Sequence, residues 1–258
     1  MTVEPLEQPG RTGERVTTRA GGFNPTFQRH VAAYRAAAGL LGPGRVLDLG
    51  CGVGHSYREL APRETVGVDR EASVLVDQDR VTVVADMRDL PFPPRSFASV
   101  LSVHSIEHVP DPERVINETI RVLQPGGRAI FVTPNRLTFG LPDEIIDPYH
   151  HIEFDDAELR TLCRPFGRVE IVGLFGSERY GQLVAVERRE LARLLALDPL
   201  RLRRRIPRRL RQRLYDWRLA SSRATALPGA ELIVPEDFRL APGPLAQALD
   251  LIAVCDAR

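Results

Sequence analysis

The residues best suited to chemistry sit where apolar runs break into glycines and acids. Arg45-Val46-Leu47-Asp48-Leu49-Gly50-Cys51-Gly52-Val53-Gly54 reads as a buried strand ending in a turn where the backbone must approach a ligand closely, which glycine permits. Thr65-Val66-Gly67-Val68-Asp69 is a second apolar strand ending in an acid, about 20 residues past the glycines, the distance at which a carboxylate can take a ribose diol. Val81-Thr82-Val83-Val84-Ala85 then leads to Asp86-Met87, and a strand from Ala98 to Val103 opens into His104-Ser105-Ile106-Glu107-His108-Val109. All these groups lie just past the carboxyl end of a strand, where open α/β sheets bind ligands. A nicotinamide fingerprint, Gly-x-Gly-x-x-Gly, would place its third glycine on His55, which counts against that cofactor. No Gly-x-Ser-x-Gly elbow for hydrolase chemistry occurs.

The elements that must position these residues alternate. A short helical stretch over 54–60 follows the first strand, and a helix from Asp111 to Leu123 is stopped by Gln124-Pro125-Gly126-Gly127. Arg128 to Thr133 reads as the fifth strand, Arg168 to Phe175 as the sixth, and Leu249 to Cys255 as the closing one. Upstream, Phe27, His30, Val31, Tyr34, Ala37, Ala38 and Leu41 recur at three and four, so an amphipathic helix is expected over Pro25–Leu41. Asp155-Asp156-Ala157-Glu158-Leu159 has the sequence of a capped helix start.

The glycine loop Asp-x-Gly-x-Gly-x-Gly, the acids Asp69 and Asp86, and the run "RVLQPGGRAIFVTPN", in that order, resemble class I methyltransferases of type 11, which use S-adenosylmethionine (SAM) and release S-adenosylhomocysteine. The resemblance implies an α/β fold with a Rossmann-like seven-stranded sheet, its last strand antiparallel, flanked by helices. It also implies that Asp48, Gly50, Cys51 and Gly52 admit the methionine end of SAM, that Asp69 and Arg70 face the ribose, and that Asp86 and Met87 hold the adenine. His104 and Ser105 then line the donor side. A non-catalytic SAM-binding subunit would keep the same loop; the histidines that follow the fifth strand argue for activity.

Three regions lie outside residues 43–134, the expected cofactor core of a single domain 1–258. Residues 1–42 form an N-terminal segment with the helix just described, which the resemblance implies lies across the mouth of the cofactor site as a lid. Residues 135–154 form a long loop rich in Pro and Gly that carries Asp147, His150, His151 and Glu153; loops of this length inside compact domains are commonly functional. Residues 176–235 are an Arg-rich helical insertion before the closing strand, with Leu202, Ile206, Leu210, Leu214 and Trp217 on one face and Pro207 starting a new helix. A solvated basic face, an anion site and a peripheral membrane contact through 201–217 are all compatible with that pattern.

Methyl transfer from SAM is an in-line displacement, and an acceptor hydroxyl needs a base or a metal. Histidine titrates in the useful range, so His150 or His151 is a natural catalytic base. The runs "TPNRLTFG", "PYHHIEF", "GLFGSER" and "ALDLIAV", with "TGER" near the N-terminus, look like methyltransferases that modify actinobacterial polysaccharides and glycolipids; in that pattern Tyr149-His150 is the aromatic–His pair, which favours His150. The resemblance therefore implies O-methylation of a sugar hydroxyl, with N- or C-methylation of another natural product as the alternative. A divalent metal held among His104, His108, Asp147, His150, His151 and Glu153 is a rival mechanism, not the favoured one.

Composition bounds the rest. The chain has 258 residues and a formal net charge of +1, so no global attraction to nucleic acid is expected, and the basic segment lacks interleaved aromatics. All 35 basic residues are arginine. No stretch is long and apolar enough to span a bilayer, and Met1 to Thr18 is polar, unlike a signal peptide, which points to a cytoplasmic protein. The three cysteines are widely separated and suggest neither disulfides nor a zinc knuckle. The acceptor's identity and the oligomeric state are not written in these features.

Overall fold

The computed structural model describes residues 25–139, 147–196, 206–207, 209–214 and 229–258. In chain order the elements are α1 (Pro25–Leu40), β1 (Val46–Leu49), β2 (Thr65–Asp69), β3 (Val81–Val84), β4 (Phe97–Val103), α2 (Pro112–Val122), β5 (Leu123–Pro134), α3 (Arg136–Phe139), α4 (Asp156–Leu162), β6 (Arg168–Gly176), α5 (Glu178–Ala196), β7 (Phe238–Ala241) and β8 (Asp250–Asp256). The sheet order is β3-β2-β1-β4-β5-β8-β6-β7. β1 pairs in parallel with both β2 and β4, so the strand order reverses there and a crevice opens past their carboxyl ends.

Alternation along the strands divides the core in two. Val46, Leu101, Ile130, Val132 and Ile252 face one side and pack with Ala33, Tyr34 and Ala37 of α1 and with Tyr180 of α5. Leu47, Leu49, Val100, Phe131 and Leu251 face the other and meet Val115 and Ile116 of α2 and Leu159 of α4. Central parallel strands are buried on both faces, which is why they read as unbroken apolar runs.

Among the described residues the sheet has eight strands, one more than the expected seven. β8 is antiparallel to both β5 and β6, as the resemblance implied. The additional strand is β7, which pairs antiparallel with Gly173–Gly176 and covers that edge. Phe238-Arg239-Leu240-Ala241 is too short to show a strand period in sequence. The stretch over 54–60 is a single 3-10 turn at Tyr57–Leu60. Asp155 and Glu158 form the capping box of α4: Asp155 Oδ1 accepts from Glu158 N at 2.9 Å and Glu158 Oε2 from Asp155 N at 3.0 Å.

Part of the expected Arg-rich insertion, residues 197–205, 208 and 215–228, lies outside the described residues; what is described has α5 at its start and a helical turn at 209–214 just past Pro207. No helix among the described residues is long and apolar enough to cross a membrane.

α1 is tied to the sheet by a charge as well as by apolar contact. Arg29, buried on its inner face, donates Nε to Asp250 Oδ2 at 2.9 Å and one Nη to the Leu249 carbonyl at 2.7 Å, and its guanidinium also meets Asp250 Oδ1. Removing one partner of a fully buried pair strands the other. Arg29→Ala is expected to lower folding stability by roughly 3–5 kcal/mol in urea titration; a loss below about 1 kcal/mol, the range of a solvated surface pair, would contradict the buried anchoring.

Candidate active site

The carboxyl ends of β1, β2 and β4 surround a cavity of about 1040 Å³, its open mouth included. Its floor is the glycine turn. Gly50 N and Cys51 N donate to the Val68 carbonyl at 2.8 and 3.0 Å, folding the turn over the end of β2. Gly50 has φ +68° and a Cβ there would lie 2.4 Å from Ser105 Cβ, so both conformation and space require glycine. Gly52 has φ +52°, with open space where a Cβ would stand.

Asp69 ends β2 with both carboxylate oxygens anchored: Oδ2 accepts from Gly52 N and Oδ1 from Glu71 N, each at 3.0 Å. Each oxygen keeps a further lone pair for a ligand diol. Asp86 accepts from Arg88 N at 2.9 Å and from its guanidinium at 2.7 Å. These bonds hold its carboxyl below the usual carboxylate range against partial burial, so it stays an acceptor. Arg70, Met87, His104, Ser105 and Cys51 also line the cavity. Burial pushes the Cys51 thiol far up, which removes it as a nucleophile.

Asp48, expected at the cofactor, stands behind the wall. It is fully buried and accepts from the Tyr34 hydroxyl at 3.0 Å and from Arg80 Nη1 at 2.8 Å. Arg80 Nε donates in turn to Gln78 Oε1, and Gln78 Nε2 to the Gly52 carbonyl at 2.8 Å. Asp48 thus braces the turn from below.

Histidines dominate the opposite wall. His30, His55, His104 and His108 all line the cavity. His104 holds a left-handed backbone (φ +48°), uncommon outside glycine. Its Nε2 meets Asp250 Oδ1 at 2.9 Å and its Nδ1 meets His30 Nε2 at 2.8 Å. A carboxylate only accepts, so His104 carries its proton on Nε2 and accepts on Nδ1 from His30, which leaves the lone pair of His30 on Nδ1. Although burial opposes its charge, Arg29 and His104 hold the Asp250 carboxyl well below the usual range. Burial, then the neighbouring His104, His55 and Arg29, lowers the His30 pKa well below its ordinary value.

His150 and His151 are not on this wall. His150 is buried, its Nδ1 3.0 Å from Glu153 Oε1 and its ring 4.9 Å from that of His108. Burial is the largest influence on its pKa and pulls it down, but the Glu153 bond and the Glu107, Asp147 and Glu153 carboxylates outweigh it. His151 is exposed and uses its backbone N–H on the Glu107 carbonyl at 2.8 Å. The fold splits the six histidines into one group around His104 and another around His108. Sequence reading missed Arg29, His55 and Asp250 as members of the site; His30 carried a signal, its place on the periodic face of α1.

Residues 47–131 match the methyltransferase 11 family model, a methyltransferase domain. A probable S-adenosylmethionine-dependent methyltransferase of Mycolicibacterium smegmatis is 34% identical over 164 residues, 60% of this chain and 64% of that protein. The chain therefore spans somewhat less than two thirds of that relative. The 27-O-demethylrifamycin SV methyltransferase of Amycolatopsis mediterranei is 37% identical over 98 residues, 33% of this chain and 36% of that one. Among solved structures, a SAM-dependent methyltransferase of Thermotoga maritima, a possible histamine N-methyltransferase, superposes with a TM-score of 0.59 over 91% of this chain and 92% of its own, at 18% identity. Residues 47–131 are thus similar to a methyltransferase domain, and the chain shares the fold of that solved methyltransferase.

The histidine wall makes stability depend on pH with a defined sign. Burial, then His104, lowers His55 from 6.5 to about 4 in the folded chain. Between these values the unfolded state binds the proton and the folded state does not, so this group's contribution falls as pH drops through the window and levels off below it. His150, raised by folding, works in the opposite direction. Urea midpoints measured from pH 7 to 4 are expected to fall less steeply in His55→Gln than in the parent chain; identical slopes would place His55 in solvent.

Proposed function

We propose that this chain transfers the methyl group of SAM to a hydroxyl of a saccharide, glycolipid or glycosylated natural product. The observation that carries the reading is the hydrogen-bonded pair His30–His104 on the cavity wall, backed by buried, ionised Asp250. A hydroxyl is a poor nucleophile until its proton is removed, and this arrangement is built to take one. The relative from Amycolatopsis mediterranei, named for a 27-O-demethyl compound, supports an oxygen acceptor.

Bound SAM supplies an electrophilic methyl group; the chain's own residues bind, orient and move the proton. Gly50 and Gly52 give the methionine end access, Asp69 takes the ribose hydroxyls with Arg70 beside it, and Asp86 accepts from the adenine amine with Met87 against the ring. His104 and Ser105 border the donor side. His30 accepts the acceptor's proton on Nδ1, its own Nε2 proton moves to His104 Nδ1, and Asp250 stabilises the imidazolium that results. The base assignment thereby moves from His150 and His151, which the sequence favoured, to a pair that borders the cavity.

Labelled-methyl transfer from SAM to saccharides, glycolipids, amines and quinone precursors tests the reading. Label on a sugar oxygen supports it; label confined to amines or ring carbons shifts the function to N- or C-methylation. Asp69→Ala is expected to abolish detectable SAM binding in calorimetry, and unchanged affinity would remove the ribose assignment. His30→Gln is expected to keep SAM affinity while kcat falls by ~10²-fold or more; normal turnover would exclude it as the base.

A further inference from the structure

We propose that Glu107, His108 and His150 form a binding site for a divalent first-row transition cation at the edge of the cavity. Two segments build it. The turn after β4 presents Glu107 and His108 as neighbours, and the segment after β5 brings His150 against them. The Glu107 carbonyl, accepting from His151 N at 2.8 Å and Ile152 N at 3.2 Å, clamps the two segments together. One candidate ligand atom from each of Glu107, His108 and His150 lies within 4.8 Å of the other two.

Hydrogen bonding sets which atoms are presented. His108 Nδ1 meets the Tyr149 carbonyl at 3.2 Å and His150 Nδ1 meets Glu153 Oε1 at 3.0 Å. Both partners only accept, so each neutral ring carries its proton on Nδ1 and its lone pair on Nε2. A carbonyl or carboxylate behind the far nitrogen is how metal-bound histidines are oriented. Glu107 supplies the independent sign of a ligand. Its side chain is almost wholly buried; Oε2 accepts from Thr133 Oγ1 at 3.2 Å, and Oε1 has no partner among the described residues. Glu153 Oε2 is buried and unpartnered in the same way. Leaving a carboxylate oxygen dry and unpaired is costly. A cation bound by Glu107 and the two imidazoles removes that cost for Glu107, and Glu153, bonded to His150 Nδ1, holds that ring toward the ion.

The donor set defines the ion class. Two imidazole nitrogens and one carboxylate suit Fe²⁺ to Zn²⁺, whereas Mg²⁺ and Ca²⁺ prefer oxygen throughout. Three protein ligands leave a coordination position open, and His108 lines the cavity, so that position can face an acceptor oxygen. This use as a Lewis acid rests on the proposed O-methylation; the binding itself does not.

The test is calorimetric titration of the EDTA-treated full-length chain with Zn²⁺. One equivalent is expected to bind, with binding lost in Glu107→Gln and His150→Asn and weakened about 10–100-fold in Glu153→Gln. No stoichiometric binding, or binding unchanged in all three variants, overturns the site. Because a variant can misfold, ¹⁵N-histidine spectra of the parent chain give a second reading: Zn²⁺ should shift the Nε2 resonances of His108 and His150, and shifts confined to other histidines reject it. SAM-dependent transfer measured on the same samples separates the outcomes. Zn²⁺ binding without sugar methylation defeats the proposed acceptor alone, and sugar methylation without Zn²⁺ binding defeats the metal site alone.

Discussion

The histidine wall of the cavity depends on one carboxylate kept ionised without water. Asp250 opens β8 at the point where the sheet turns antiparallel, and its side chain is fully buried. Such a group survives in the interior only if its oxygens are saturated by cations and donors. Arg29 does this from α1 and His104 from the turn after β4. The requirement fixes how α1 lies on the sheet, holds His104 in its left-handed backbone, and through His104 sets the tautomer of His30. A helix that packs mainly alanines and a tyrosine against the sheet has little shape specificity of its own; the ion pair supplies the registry.

A second buried charge does the corresponding work on the glycine side of the cavity. Asp48 and Arg80 pair beneath the glycine turn, with Arg80 3% exposed and Asp48 0%. The Arg80 guanidinium also lies 4.3 Å from the Tyr57 ring centroid, and its Nη2 has no hydrogen-bond partner among the described residues. A cation on an aromatic face is partly compensated for that loss. Tyr34 reaches Asp48 from α1, so the helix that carries His30 also touches the brace beneath the glycine turn. Movement of α1 would therefore perturb both halves of the site together.

The two histidine groups divide the chemistry by their surroundings. His30 and His55, half-buried among other rings and with Arg29 beside His30, are pushed toward the neutral form. His150 sits among the carboxylates of Glu107, Asp147 and Glu153, an environment that favours positive charge. One wall thus favours neutral imidazoles, and the adjoining edge favours positive charge.

Sequence alone determined the features that depend on local backbone and period. The strand runs, the glycine turn, the α2 stop at Gln124-Pro125-Gly126-Gly127 and the Asp155 capping box were legible, because each is written in consecutive residues whose steric or hydrogen-bonding demands are met locally. So were the acids that follow β2 and β3, since strand ends converge on one crevice in any open parallel sheet. Tertiary structure decided what depends on contacts between distant segments. β7 has too few residues to show a period and exists because the β6 edge offers it hydrogen bonds. Asp48 shares a motif with the glycines, yet strand alternation turns it away from the cavity toward Arg80. Asp250, 221 residues from Arg29 and 146 from His104, joins them only when the sheet closes. The desolvation of that carboxylate, which selects its partners, does not exist in the unfolded chain.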